Sequence, residues 1–200
     1  MIKSASHEIV LEIIDKKVEL SSLKKENLLG KIITIDLTKS SKGKGCEAKF
    51  KVSAEGDSLI GKICFFGIYP SYIKRSIGRN ISIIESSDVC EAKDAKIRIK
   101  PFLITRRIVH KSIRSALRKE CLNLIKKFVS AHNYCQVFQA IISSSLQHSL
   151  SKKLKKIYPL AVCEIRVAKV EKFLEEKPKT TIEAENEAEI KREETAKQDN

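Results

Sequence analysis

Leu160-Ala-Val-Cys-Glu-Ile-Arg-Val-Ala-Lys-Val170 is the stretch on which the fold turns. Cys163, Ile165 and Val167 alternate with Glu164 and Arg166, a period of two that predicts a strand. Pro159 stands just before it and ends whatever helix precedes it. The strand comes late, after a long helical region. A lone late strand needs a partner, so it is expected to return to a sheet built earlier in the chain.

That earlier sheet is legible upstream. Lys31 to Leu37 is rich in β-branched residues and is entered from Gly30. Glu47 to Ser53 alternates, with Ala48, Phe50 and Val52 on one face. Gly61 to Tyr69 is apolar on both faces at Cys64-Phe65-Phe66, which predicts a central strand. Ser71 to Gly78, after Pro70, reads as a short basic helix or turn. Asn80 to Ser86 and Lys96 to Ile104 supply two more strands, and Pro101 predicts an edge or a bulge in the second. Thr105 to Val129 has helical period, with Ile113, Leu117, Cys121, Leu124 and Phe128 on one stripe. Tyr134 to Ser144 and Ser149 to Ile157 read as two further helices. The expected fold is α+β: an antiparallel, barrel-like β-domain with two or three appended helices and a returning strand. The segments are an N-terminal stretch 1–27, a β-rich part 28–104, a basic helical part 105–158, the returning strand 159–173 and an acidic tail 174–200.

Charge narrows the partner. The 200 residues carry 39 Lys and Arg against 25 Asp and Glu, a net charge of +14. Residues 171–200 hold 10 acids and 6 bases, so the rest of the chain stands at +18. Such a surface seeks a polyanion. No apolar run approaches the ~20 residues of a membrane-spanning helix, and the N-terminus has no signal-peptide pattern. Cysteines 46, 64, 90, 121, 135 and 163 form no CxxC pair, which predicts free thiols, a reducing compartment and no metal site. The four histidines show no metal or catalytic spacing.

Arg107, Lys111, Arg114 and Arg118 recur at steps of four, three and four and fall on one helical stripe. Arg106, Lys119, Lys126 and Lys127 widen it. Only Glu120 opposes them between Pro101 and Ser130. Uncompensated like charge on one face weakens a helix unless phosphates neutralise it. Two auxiliary sites are Lys39, Lys42 and Lys44 in a Ser/Gly-rich loop, and Lys152, Lys153, Lys155 and Lys156 in a short run. Lys74, Arg75 and Arg79 extend the surface. With no Trp and few Tyr or Phe outside core positions, a single-strand stacking platform is disfavoured. Backbone and shape contacts with folded RNA are favoured. Gly56-Asp-Ser-Leu-Ile-Gly-Lys62 imitates a phosphate-binding loop, but Ile63 replaces the hydroxyl residue and a strand follows where a helix should begin. No catalytic constellation or cofactor motif is present.

Several pieces occur in the order of a known family. Ile157-Tyr-Pro-Leu160, Ile165-Arg-Val-Ala-Lys-Val170 and Lys177-Pro-Lys179 resemble its Ile-Tyr-Pro-Leu, its Val/Ile-Arg-Lys-Val-Lys strand and its Lys-Pro-Lys exit. Leu29 to Leu37, Phe50-Lys-Val52, Phe66-Gly-Ile68, the basic helix from Arg106 and Ser149 to Leu154 follow suit. The chain resembles the "S three A" family of archaeal and eukaryotic small ribosomal subunits, without that family's Lys-rich N-terminal extension. The resemblance implies a structural, non-enzymatic role on the platform of the small subunit. It implies contact with rRNA near the mRNA exit region, with mRNA nearby, and with neighbouring ribosomal proteins. It also implies a cytoplasmic site of work, with passage through the nucleolus in a eukaryote. A free RNA-binding factor in ribosome assembly or initiation is the alternative.

Overall fold

The structure is a computed structural model that describes residues 5–14, 17–22, 25–39, 41, 43–55 and 58–174. Lys42, Gly56, Asp57 and the acidic tail beyond Leu174 lie outside the described residues. Among the described residues nine strands and four α-helices follow in the order β1 (Ala5–Leu11), β2 (Lys17–Ser22), β3 (Ile32–Asp36), β4 (Cys46–Glu55), β5 (Ser58–Ile68), α1 (Pro70–Ser76), β6 (Ile83–Glu85), β7 (Asp88–Glu91), β8 (Ala95–Thr105), α2 (Lys111–Ala131), α3 (Tyr134–Ile142), α4 (Ser145–Leu154) and β9 (Leu160–Phe173).

The late strand does return. β9 runs antiparallel to β8 from Thr105↔Leu160 to Ala95↔Phe173 and also pairs with β5. The 14 residues of β9 face 11 of β8. The excess residues, Ala161, Arg166 and Glu171, sit at three register shifts. One shift falls at Lys100/Pro101, because proline cannot donate to the ladder. A bulge re-aims its side chain, and here it sets Arg166 on Glu85 (3.2 Å) and Glu171 on Arg98 (2.5 Å). It also shifts the phase of β9. Ile165 and Ala168 are both fully buried and Val167 is only half-buried, so the simple alternation holds on one side of Arg166 alone.

β5 is central, as its two apolar faces require. β4 lines one of its edges, while β1 (parallel) and β9 share the other. β8 carries β6 and β7 on the edge away from β9. The sheet is mostly antiparallel and its pairings do not close into a ring among the described residues. Phe50, Ile63, Ile97, Ile99 and Leu103 from β4, β5 and β8 join Ile9 and Leu11 of β1 in one core. Gly61 is glycine because β1 packs on it. A Cβ there would stand 2.7 Å from Leu11 Cδ2, a side chain with no exposure and so little freedom to yield.

Helix α2 lies over β6 and β7, and α4 lies over β9. Their buried faces are Leu117, Cys121, Ile125 and Val129, and Leu146, Leu150 and Leu154. Two sequence expectations are corrected. The helix expected from Thr105 begins at Lys111, because Thr105 is the last residue of β8 and its backbone continues the sheet. The N-terminal residues, read only as a divergent segment 1–27, include β1 and β2, which pair antiparallel from Ala5↔Ser22 to Val10↔Lys17.

Two measurements check this packing. Gly61→Ala lowers unfolding stability by about 1–3 kcal/mol, the usual cost of an overpacked site, in urea denaturation. The part-buried pair Lys44–Glu164 (2.6 Å) ties the 38–45 loop to β9. A double-mutant cycle with Lys44→Met and Glu164→Gln gives a coupling of about 1 kcal/mol, between exposed and buried pairs.

Candidate nucleic-acid interface

The basic residues gather where β8 ends and β9 begins. Leu160 pairs with Thr105, so the segment after α4, with Lys155 and Lys156, is delivered beside the start of the β8–α2 connection. The loop after α1 is fastened to the same point. Thr105 N–H donates to Ser82 O (3.0 Å), and Ser82 N–H donates to Thr105 Oγ1 (3.0 Å). Arg79 is carried on this loop, and Lys74 and Arg75 occupy the last turn of α1. Lys152 and Lys153 sit in the last turn of α4. Together with Arg106, Arg107 and Lys111, residues from three separate stretches of chain come to one end of the sheet.

Helix α2 begins there. Its first turn contains no acidic residue, and no side chain caps its N-terminus at His110. The open N–H groups and the aligned peptide dipoles add positive potential at this end. Lys111, Arg114, Arg118 and Lys119 are all exposed. Arg106, Arg107, Lys111 and Arg114 have no acidic partner among the described residues. Arg118 is partly committed, since its Nε donates to Glu85 O at 3.3 Å.

The expected site residues therefore divide. Arg107 does not lie on α2. With Arg106 it occupies the connection before the helix, in which both side chains are exposed. The angular match of Arg107 to the helical stripe is a coincidence of spacing. Lys44 is held internally, donating to Glu164 Oε1 at 2.6 Å and to Ser144 Oγ at 3.3 Å. Lys39 is exposed on the same loop. Lys126 pairs with Asp88 of β7 at 2.7 Å, and the ammonium donated by Lys126 lowers the Asp88 carboxyl below its usual range. Lys44 and Lys126 are thus cations that hold the fold together.

Sequence reasoning passed over Ser82, Thr105 and Ile108. The first two are buried and fasten the loops, and Ile108 is 67% exposed between the arginines and α2. The one available signal was an aliphatic residue set inside Arg106-Arg107-Ile108-Val109-His110-Lys111.

Other chemistry finds little support in the geometry. Ser58 to Ile68 is β5, so a strand stands where a phosphate-binding loop would open a helix. Burial pushes the Cys121 thiol up to about 12, and those of Cys90 and Cys135 up to about 11, which keeps them protonated at neutral pH. A groove of about 330 Å³ between α1 and α4 is bordered by Tyr72, His148, Ser151 and Lys152, and it continues the basic end of the molecule. No helix of the described residues is long and apolar enough to cross a membrane.

The chain is similar to archaeal proteins named small ribosomal subunit protein eS1. It is 31% identical to that of Saccharolobus islandicus (strain L.S.2.15 / Lassen #1) over 125 residues, which are 62% of this chain and 60% of the relative. It is 26% identical to that of Sulfurisphaera tokodaii over 120 residues, 60% of this chain and 62% of the relative. It is 24% identical to that of Haloarcula marismortui over 176 residues, 86% of this chain and 77% of the relative. The chain thus spans about 60% of the length of the first of these relatives. The model of the Ribosomal S3Ae family matches residues 8–173, from within β1 to the last residue of β9, and by that match the chain belongs to the Ribosomal S3Ae family.

Proposed function

We propose that this protein is a structural constituent of the small ribosomal subunit. It binds folded rRNA with the basic end of its sheet, on the platform near the mRNA exit region, and touches neighbouring ribosomal proteins there. The observation that carries the reading is the gathering of Arg79, Arg106, Arg107, Lys111, Lys155 and Lys156, drawn from separate elements, around the Thr105–Leu160 pair. A solvated basic surface interleaves acids with bases, and residues 106–119 contain none. Membership of a ribosomal family supplies the choice of rRNA over other polyanions. The sheet is read as barrel-like, on the ground that inward side chains of β1, β4, β5 and β8 meet in one core.

The role is one of binding. Cations on three stretches of chain neutralise phosphates whose spacing is set by RNA folding, so the protein favours one RNA conformation over others. Its place of work is the cytoplasmic ribosome, after assembly in the nucleolus where the cell has one.

Lys111→Glu/Arg114→Glu, two exposed positions that the core does not use, abolishes co-sedimentation of the tagged protein with small subunits in a Mg²⁺-containing gradient. Undiminished incorporation of that variant contradicts the assignment of the face. Loss of the unaltered protein from salt-washed subunits favours the free RNA-binding factor instead. Removing one contact cation, as in Arg107→Ala, lowers the slope of log affinity against log salt by about one. Lys44→Met leaves that slope unchanged, because its charge is spent on Glu164.

A further inference from the structure

Between β8 and α2 the chain makes a clamped knuckle. Thr105 is fully buried, and its Oγ1 donates to Arg107 O at 2.6 Å while accepting from Ser82 N–H. Ser82, 7% exposed, closes the other side: its Oγ accepts from Val109 N–H at 3.1 Å. Val109 is itself buried at 7% exposure. Both ends of the stretch 106–108 are therefore fixed. Three side chains project from it: Arg106, Arg107 and Ile108, the last the most exposed of the large hydrophobic residues described.

Ile108 belongs neither to the core nor to the hydrophobic side chains packed against it, and the hydrogen bonds at both ends of the loop hold it in water. Its neighbours indicate what covers it. Residues 106–119 hold six cations and no carboxylate, so an acidic surface fits this place and an ordinary neutral or basic protein face does not.

We propose that Ile108 is a contact residue that packs into the shallow minor groove of an rRNA helix while Arg106 and Arg107 grip the flanking phosphates. The inference rests on the rRNA-binding reading above and adds the point of apolar contact. The minor groove of an RNA helix is wide, shallow and lined by ribose, a surface that an aliphatic side chain fits and a planar stacking residue does not need. Fixing the loop beforehand spares the entropy of ordering it on binding. The Ser82–Thr105 clamp is a positioning device, and Ile108 is the group that touches RNA.

Titration of cognate small-subunit rRNA with the full chain over a salt series tests the proposal. Ile108 carries no charge, so Ile108→Ala weakens binding about tenfold at every salt concentration, the loss expected for one aliphatic side chain, and leaves the salt slope unchanged. Ile108→Leu retains most of the affinity. Thr105→Val weakens binding and speeds amide exchange at Arg107 to Val109. Binding by Ile108→Ala equal to that of the unaltered chain overturns the proposal while the rRNA reading stands. Equal binding to free rRNA combined with loss from assembled subunits also overturns it, and assigns Ile108 to a protein neighbour. Failure of the unaltered chain to bind rRNA with a steep salt dependence overturns the broader reading itself.

Discussion

The β8–β9 ladder is the constraint on which the molecule depends. Its two strands are separated by all the sequence from Arg106 to Pro159, which contains three of the four helices. Closing that ladder orders a long excursion, so it is expensive in chain entropy and slow to form. In return it fixes both ends of the helical region at once. Thr105 opens the excursion and Leu160 ends it, and the two are paired. The basic end is a consequence of this closure. The start of α2, the exit of α4 and the loop after α1 meet only because one residue pair and one buried serine bring them together.

The charge of the chain then has two roles that composition does not separate. Lys44, Arg98, Lys126 and Arg166 are bonded to acids on other elements, and they tie a loop, two strands and a helix to their neighbours. Two of these contacts use residues extruded by bulges in β9, so the irregularities of the ladder are also its attachment points. Arg106, Arg107, Lys111 and Arg114 have no such acidic partner among the described residues. Leaving cations unpaired near a helix N-terminus opposes folding slightly. That cost is small beside the core, and bound phosphates would reverse it.

Much of the fold could be read from the residues. Alternation in β4 and β9, the apolar run of β5 and the period of α2 each reflect a local rule. Pro101 announced its bulge because a missing N–H is a local fact. What stayed hidden depends on distant partners. The β1–β2 pair has short strands that carry charge, and β1 takes its place from pairing with the distant β5 and from the burial of Ile9 and Leu11 in the core. β7 is four residues long and half-buried beneath α2, too short for a pattern. Thr105 and Arg107 fit a helical period by position alone, and the buried hydrogen bonds to Ser82 decide against it. The candidate site was legible as a list of cations. Which of them were spent was not, because Glu164 lies 120 residues from the lysine it holds.

The central claim is that one end of this sheet meets rRNA. Ultraviolet cross-linking of the protein within intact small subunits, followed by mass spectrometry of the RNA-bearing peptides, tests it most directly. The account predicts adducts within residues 74–79, 106–118 and 152–156. Adducts confined to β2, β3 or β4, with none at the junction of β8 and α2, would contradict it.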